Sequence, residues 1–354
     1  MTKVRPLIKF PQEINLSSSS VFNNELLKLK ERVKNTKPIS VSSDLPIDGV
    51  ASGGLMALNK MRGNDILGRG VPENTIFRAR LDYTSDNYRL SDIKLLVSRE
   101  LFPCTHDGKD VVGYEDPTFV SGDVNPFVLG EDGFICSQTH RKDNEEGLSC
   151  NLVYIGLDPF GKASHIKTLL TPNMLVKHDI ALDVDMVKEA EIFQLSDGRF
   201  YMLFEYAGAH FAGEPRESHI GIARIEDKKI VELKRFWTAD NDRSEHVSTD
   251  SELFQLADGL GLIFFNRGHN NVWGITYMVV DTNSMEPLAV CPGLIISAPG
   301  DVGRGPGDQL IAFVSQVTLG KNGSLDVFYH VNDNRLYCAE IDLASEGQKK
   351  HKAM

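Results

Sequence analysis

A chain of 354 residues, 41% hydrophobic and 25% charged, can bury one large core or two ordinary ones without disulfide staples. Its net charge of −11 disfavours nucleic acid and anionic membrane as main partners, since both select a basic face. The five cysteines (Cys104, Cys136, Cys150, Cys291 and Cys338) are odd in number and form no CxxC pair, so they read as reduced, buried thiols rather than a disulfide framework.

The opening MTKVRPLIKFPQEINL has no uninterrupted apolar segment and no small-residue cleavage site. No run is apolar and long enough to span a bilayer as a helix, and a cytoplasmic setting is expected. Residues 19–35, SSVFNNELLKLKERVKN, carry helical periodicity behind a Ser cap, with Pro38 beyond the end. That helix is expected within an N-terminal arm over residues 1–45. The closing SEGQKKHKAM is expected to be a polar tail over 345–354.

Between arm and tail the chain reads as β-structure with a repeat. Asp-Gly or Asn-Gly between alternating apolar runs signals a hairpin, because both residues tolerate positive φ. Such dipeptides stand at Asp132-Gly133, Asp197-Gly198, Asp258-Gly259 and Asn322-Gly323, at intervals of 65, 61 and 64 residues. Each precedes a β-type run: FICSQTH, RFYMLFEYAG, LGLIFFNRG and SLDVFYHVND. One interval earlier, LGRGVPENTIFRARLD makes a fifth member, and SHIGIARIEDKKIVELKRFW and WGITYMVVDTNSMEPLAV read as further hairpins in the gaps. Five such units predict an all-β fold, a five-bladed β-propeller over residues 46–344, which leaves few exposed sheet edges.

In a propeller the first strand of every blade lines the central channel, so acids at equivalent strand positions converge although distant in sequence. The candidates are Glu115 and Asp116 in GYEDPTFV, Glu189 in KEAEIF and Asp250 in TDSELF. Aligning EAEIFQLSDG with DSELFQLADG sets Glu189 against Asp250 and Glu191 against Glu252, and strict alternation would put Glu189 and Glu191 on one face. Gathered carboxylates suit glycoside cleavage, in which one acts as acid to the leaving oxygen and another handles the nucleophile. Burial and mutual repulsion would raise one pKa and keep a proton available at neutral pH. Each also has a plain structural role to offer: Asp-Pro opens turns, and Glu191 and Glu252 can pair with basic neighbours.

RARLD, GYEDPTF, KEAEIF and LDVFYHVND, in this order from about residue 50 to 343, resemble glycoside hydrolase family 130. That family consists of five-bladed propellers acting on β-mannosides, both phosphorylases and hydrolases. Its members typically read R-A, then G-V-E-D-P-R, K-D-A-x-L-F-P and a last-blade Y-Y-G-A-A-D. The resemblance implies Asp116 as general acid, Arg78 and Lys188 near phosphate or sugar, and Glu189 and Asp333 as sugar contacts. Thr118 replaces the Arg of E-D-P-R, and FEYAG, with Glu205 and Tyr206, stands where phosphorylases place H-R-P. An Arg fork matches phosphate oxygens whereas a carboxylate repels them. The departures therefore favour water as nucleophile, activated by Glu189, Glu205 or Glu252. Arg267, His269, Arg304 and His210 remain as sources of positive charge.

The expectation is thus an inverting, mannoside-type glycosidase acting on an oligosaccharide, with carboxyl groups about 6.5–9.5 Å apart. Its alternatives are an inverting phosphorylase taking inorganic phosphate as co-substrate, a furanosidase-type propeller with Glu189 as acid, and a non-catalytic glycan-binding propeller. No cofactor and no metal are expected: the ten histidines form neither HxxEH nor HExxH, and THDGKD and VKHDIALDVD match no ligand loop. Asp179, Asp183 and Asp185 are expected in a loop leading into the third blade. Self-association is left open.

Overall fold

The computed structural model describes residues 33–41, 55–61, 65–70, 75–83, 88–98, 105–106, 108–141, 148–209, 217–238, 246–248, 253–255, 259–269, 271–291, 293–300, 302–305, 308–320, 324–332 and 335–342. Strand β1 (Val33–Val41) comes first and belongs, in space, to the last blade. Blade 1 is the meander β2 (Leu55–Lys60), β3 (Asp65–Gly70), β4 (Thr75–Tyr83) and β5 (Tyr88–Val97). Blade 2 holds β7 (Lys109–Val120), β8 (Gly133–Arg141), β9 (Leu148–Leu157) and β10 (Ala163–Leu170), with the short β6 (Thr105–His106) beside the start of β7.

One helical turn, α1 (Pro172–Lys177), leads to blade 3. Its N-cap Thr171 accepts the Met174 N–H, and Pro172 sits where no N–H is needed. Blade 3 comprises β11 (Asp183–Gln194), β12 (Phe200–Ala209), β13 (Glu217–Glu226) and β14 (Lys229–Thr238). Blade 4 has β15 (His246–Ser248) and β16 (Leu253–Gln255), both paired with β17 (Leu260–His269), then β18 (Val272–Asp281) with β19 (Glu286–Val290) and β20 (Ile296–Ser297). Blade 5 is β21 (Ala312–Leu319), β22 (Leu325–Val331), β23 (Arg335–Ile341) and, as its fourth strand, β1.

Among the described residues the buried apolar side chains fall into five clusters, and each joins two neighbouring blades. Leu67, Ile76, Tyr114 and Phe134 join blades 1 and 2, and Ile135, Tyr154, Val187 and Phe204 join 2 and 3. Leu203, Ile222, Ile263 and Met278 join 3 and 4, and Phe264, Tyr277, Val327 and Ala339 join 4 and 5. Ile39, Ile66, Phe77 and Phe328 join 5 to 1. Five interfaces closed in a ring make the five-bladed propeller. Stacking explains the sequence pattern too. Middle strands are buried on both faces and read as near-continuous apolar runs, such as FYMLF and ITYMVV. The outer strand β14 is mostly exposed or half-buried, with only Leu233 and Phe236 turned into the core.

Each Asp-Gly or Asn-Gly position falls between the first and second strands of blades 2 to 5, as a blade repeat requires. Asp197-Gly198 is a hairpin turn: Gly198 has φ +92°, and its N–H donates to the Leu195 carbonyl. Asp258 and Asn322-Gly323 lie outside the described residues. Asp132-Gly133 differs from expectation, since it ends a 12-residue connection between Val120 and Gly133. There Asn125 Oδ1 accepts the N–H groups of Phe127 and Val128, and Asp132 Oδ1 accepts that of Gly122. LGRGVPENTIFRARLD also departs from the repeat, because it joins the second and third strands of blade 1.

The expected helix over 19–35 does not extend to its end. Residues 33–35 open β1, and residues 19–32 lie outside the described residues, as does the tail. β1 pairs antiparallel with β23 (Val33 opposite Ile341) and parallel with β5 (Ile39 opposite Tyr88). Bonding on both edges, with Ile39 buried between blades 5 and 1, overrides local helical preference. Part of the expected arm thereby closes the propeller ring.

Candidate active site

The innermost strands of blades 2 and 3 are both bulged at the same place. In β7 the ladder with β8 shifts between Glu115 and Thr118, and in β11 the ladder with β12 shifts between Lys188 and Glu191. Within each bulge stands an acidic residue in the left-handed region, Asp116 at φ +49° and Glu189 at φ +49°. A non-glycine residue there costs on the order of 1–3 kcal/mol, and such strain concentrates where a side chain must be aimed. Both side chains are buried, at 8% and 5% exposure. The Glu189 N–H donates to Ser137 Oγ of blade 2 (3.1 Å), which ties the second bulge to the neighbouring blade.

Two cations hold the acids. Arg69 of β3 places Nη1 at 3.2 Å from Asp116 Oδ1 and 3.3 Å from Glu115 Oε2. Lys188 Nζ lies 3.1 Å from Glu189 Oε1 and 3.7 Å from Glu205 Oε2, the latter from the facing position on β12. Four carboxylates from blades 2 and 3 thus share two cations, one from blade 1 and one from blade 3.

The imbalance sets the protonation states. Burial, then the charges of Glu189 and Glu115, push the Asp116 carboxyl up to about 6 against the pull of Arg69. Burial and the nearby Glu189 push Glu205 well above the usual carboxylate range, with Lys188 opposing. For Lys188 burial works the other way, but Glu189, Glu205 and Asp116 outweigh it and hold the ammonium charged. Beneath the site the buried Cys136 thiol is raised by burial and then by Asp116, so it stays neutral.

Of the residues singled out in the sequence, Glu115, Asp116, Lys188, Glu189 and Glu205 come together here. Asp250, Glu252, Asp333 and His210 lie outside the described residues. Arg78 is elsewhere. Its guanidinium pairs with Asp65, a third exposed, and both line a separate cavity of about 880 Å³ with Glu131 and Asp158. The reason is the one-strand offset in blade 1: Arg78 lies on the third strand, whereas Arg69, near the end of the second, reaches Asp116. The signal for Arg69 was its place on the second strand of a blade, matching Glu205 on β12.

Glu191 is buried rather than solvent-facing, and the bulge breaks the strict alternation expected to align it with Glu189. Asp183 and Asp185 lie within β11 rather than in a loop, with Asp179 at positive φ in the turn after α1. Arg267 directs Nη1 to the Cys291 carbonyl at 3.5 Å, and Arg304 bonds Asp308 in a surface loop. Among the described residues no group of His, Cys, Asp and Glu is arranged to hold a metal ion.

A second cavity, of about 220 Å³, is lined by Phe119, Ile192, Leu195 and Gln255 where the first two strands of the blades turn. Neither cavity contains Asp116, Glu189 or Glu205. The strained and buried titratable groups of blades 2 and 3 converge outside both, the arrangement that marks a candidate site.

No family model and no curated protein matches this sequence. Solved structures share its fold at low identity. A mannose phosphorylase from Leishmania mexicana, in complex with a phosphate ion, superposes with a TM-score of 0.57 at 14% identity, over 94% of this chain and 96% of its own. The β-1,2-mannobiose phosphorylase of Listeria innocua, in complex with β-1,2-mannobiose, gives 0.56 at 13% identity, covering 87% and 94%. A thermostable family-43 glycoside hydrolase gives 0.52 at 15%, covering 84% and 91%. These likenesses establish the propeller fold.

Proposed function

We propose that this chain is an inverting glycoside hydrolase acting on a β-mannoside-type oligosaccharide, with Asp116 as proton donor. One observation carries the reading: a buried, strained Asp held near neutrality stands beside a second carboxylate aimed from the same place in the next blade. Up to about pH 6 the proton on Asp116 is available for the glycosidic oxygen as the C1–O bond breaks. Water attacks C1 from the opposite face and gives up a proton to the Glu189 carboxylate, which Lys188 contacts at 3.1 Å. Glu205, neutral, donates a hydrogen bond to Glu189 and orients it. The mannose-active phosphorylases of the same fold support the sugar class.

Water rather than phosphate follows from charge. Arg69 and Lys188 are already paired with carboxylates, and a phosphate entering between them would face Glu115, Glu189 and Glu205. The test is a panel of β-mannosides assayed with and without inorganic phosphate. Free monosaccharide released at a phosphate-independent rate is the expected result. Sugar phosphate formed only when phosphate is present would replace this reading with phosphorolysis. A panel left uncut, with sugars still bound, would replace it with a glycan-binding propeller.

A further inference from the structure

Blade 5 breaks the rule that blades 2 and 3 obey. Phe313 of β21 faces His330 of β22 as Lys188 faces Glu205 and as Glu115 faces Ser137. In blades 2 and 3 the ladder shifts directly after this pair, and in blade 5 one pair later, after Val314 opposite Tyr329; the pairs that follow the shift are Gln316 with Phe328, Glu191 with Leu203 and Thr118 with Ile135. Counting back from them, Phe313-Val314 occupies the position of Lys188-Glu189 and of Glu115-Asp116. Where those blades present charge, blade 5 presents an aromatic ring and a buried Val.

That ring is held from two sides and left half-exposed. Trp273 of β18 meets it edge-on, ring centroids 4.8 Å apart at 77°, and His330 does so at 5.4 Å and 81°. Trp273 is itself fixed. Its backbone N–H donates to the Leu310 carbonyl at 2.8 Å, and its indole lies over Gly268, where an added Cβ would come within 2.3 Å of the ring. In a ring of five blades, the blade opposite the junction of 2 and 3 is blade 5. The first strand of blade 5, which carries Phe313, therefore stands across the ring from the first strands that carry Asp116 and Glu189.

We propose that Phe313, braced by Trp273, is the stacking wall of the substrate channel, taking the apolar C–H face of a hexopyranose ring whose glycosidic oxygen is turned towards Asp116. One face of such a ring presents C–H bonds and its rim presents hydroxyls. An aromatic face on one side and carboxylates on the other match both, and fix the orientation of the bond to be cut. The inference rests on the glycosidase reading, which it deepens by assigning specificity for pyranosides over furanosides.

The experiment uses whichever β-mannobiose of the panel the wild type cleaves. F313A is expected to raise KM about tenfold, with kcat changed little, and F313Y to restore KM. In the binding-competent Asp116→Asn protein, the same disaccharide should change tryptophan emission, and adding W273F should abolish the change, since Trp237 is the only other indole. Should F313A lose its cooperative melt, F313L, which fills the volume without offering an aromatic face, replaces it with the same expected KM. Cleavage by wild type with an unaltered KM in F313A or F313L overturns this inference and leaves the glycosidase reading standing. An emission change that survives W273F also overturns it. If wild type cleaves no glycoside and Asp116→Asn binds none, the glycosidase reading falls and this inference with it.

Discussion

Asp116 and Glu189 are the same residue position in adjacent blades: each at φ +49°, each inside the bulge of an innermost strand, each buried. The two are not equivalent chemically, because their cations differ. Arg69 divides its guanidinium between Asp116 and Glu115, whereas Lys188 sits close to Glu189 and at longer range from Glu205. Repetition supplies two acids, and their neighbours hold them in different electrostatic settings, the condition under which paired carboxyls can take different roles.

Replacing Asp116 by Asn separates function from stability. Turnover should fall by about 10³-fold, the usual worth of a positioned acid. Stability should move the other way. A carboxyl with a folded-state pKa of about 6 against an ordinary 3.8 favours its neutral form in the fold, so wild-type stability declines as pH rises through that window. At pH 7 the Asn protein should be more stable by about 2–3 kcal/mol, and this gain should vanish near pH 4. Chemical denaturation at several pH values measures it. The wild-type rate should likewise fall above about pH 6, as the acid loses its proton.

Arg69→Met tests the cation that the sequence did not reveal. Arg69 opposes the upward shift of Asp116, so its loss should carry the alkaline limb of the pH–rate profile above its wild-type position. Leaving Glu115 and Asp116 without the guanidinium should also cost about 3–5 kcal/mol, as removal of one partner of a buried pair does. An alkaline limb that stays in place would show that Asp116 is not the group being titrated.

Local chemistry explains what could be read in advance. The period of Asp-Gly and Asn-Gly dipeptides marks the first turn of successive blades, and positive φ restricts that position to few residue types. Glu115-Asp116 and Lys188-Glu189 were visible as charges at the starts of apolar strands. Arg69 was not, because blade 1 carries no Asp-Gly marker and its register slipped by one strand towards Arg78. β1 was missed for a different reason. Its partners, Ile341 and Tyr88, are remote in sequence, and Pro38, which marks the end of the helical pattern, does not by itself predict a strand. The bulges that aim Asp116 and Glu189 are likewise set by pairing with the next strand.

Blade packing has its own test at Gly221 of β13, far from the acids in sequence. It faces Phe204 across the ladder, and a Cβ there would lie 2.3 Å from the ring. Phe204 is fully buried between blades 2 and 3 and cannot retreat. Gly221→Ala should therefore destabilise by about 1–3 kcal/mol through overpacking, with kcat per folded molecule unchanged. Thermal melting together with an active-site titration separates the two quantities.

Glu205 and Lys188 provide the last contrast. If Glu205 is neutral and serves as donor to Glu189, Gln offers an N–H of similar reach, so Glu205→Gln should keep turnover within a few-fold and remain indifferent to phosphate. Lys188→Met should instead lose most activity, because Glu189 can no longer stay ionised beside Glu205. Its stability deficit should depend on pH. Two buried carboxyls without their cation tolerate low pH, where both hold protons, and suffer as pH rises and they must ionise. The deficit relative to wild type should thus be larger at pH 8 than at pH 5, read from denaturant midpoints at the two values. A Glu205→Gln protein as inactive as Asp116→Asn would make Glu205 the base and Glu189 its support.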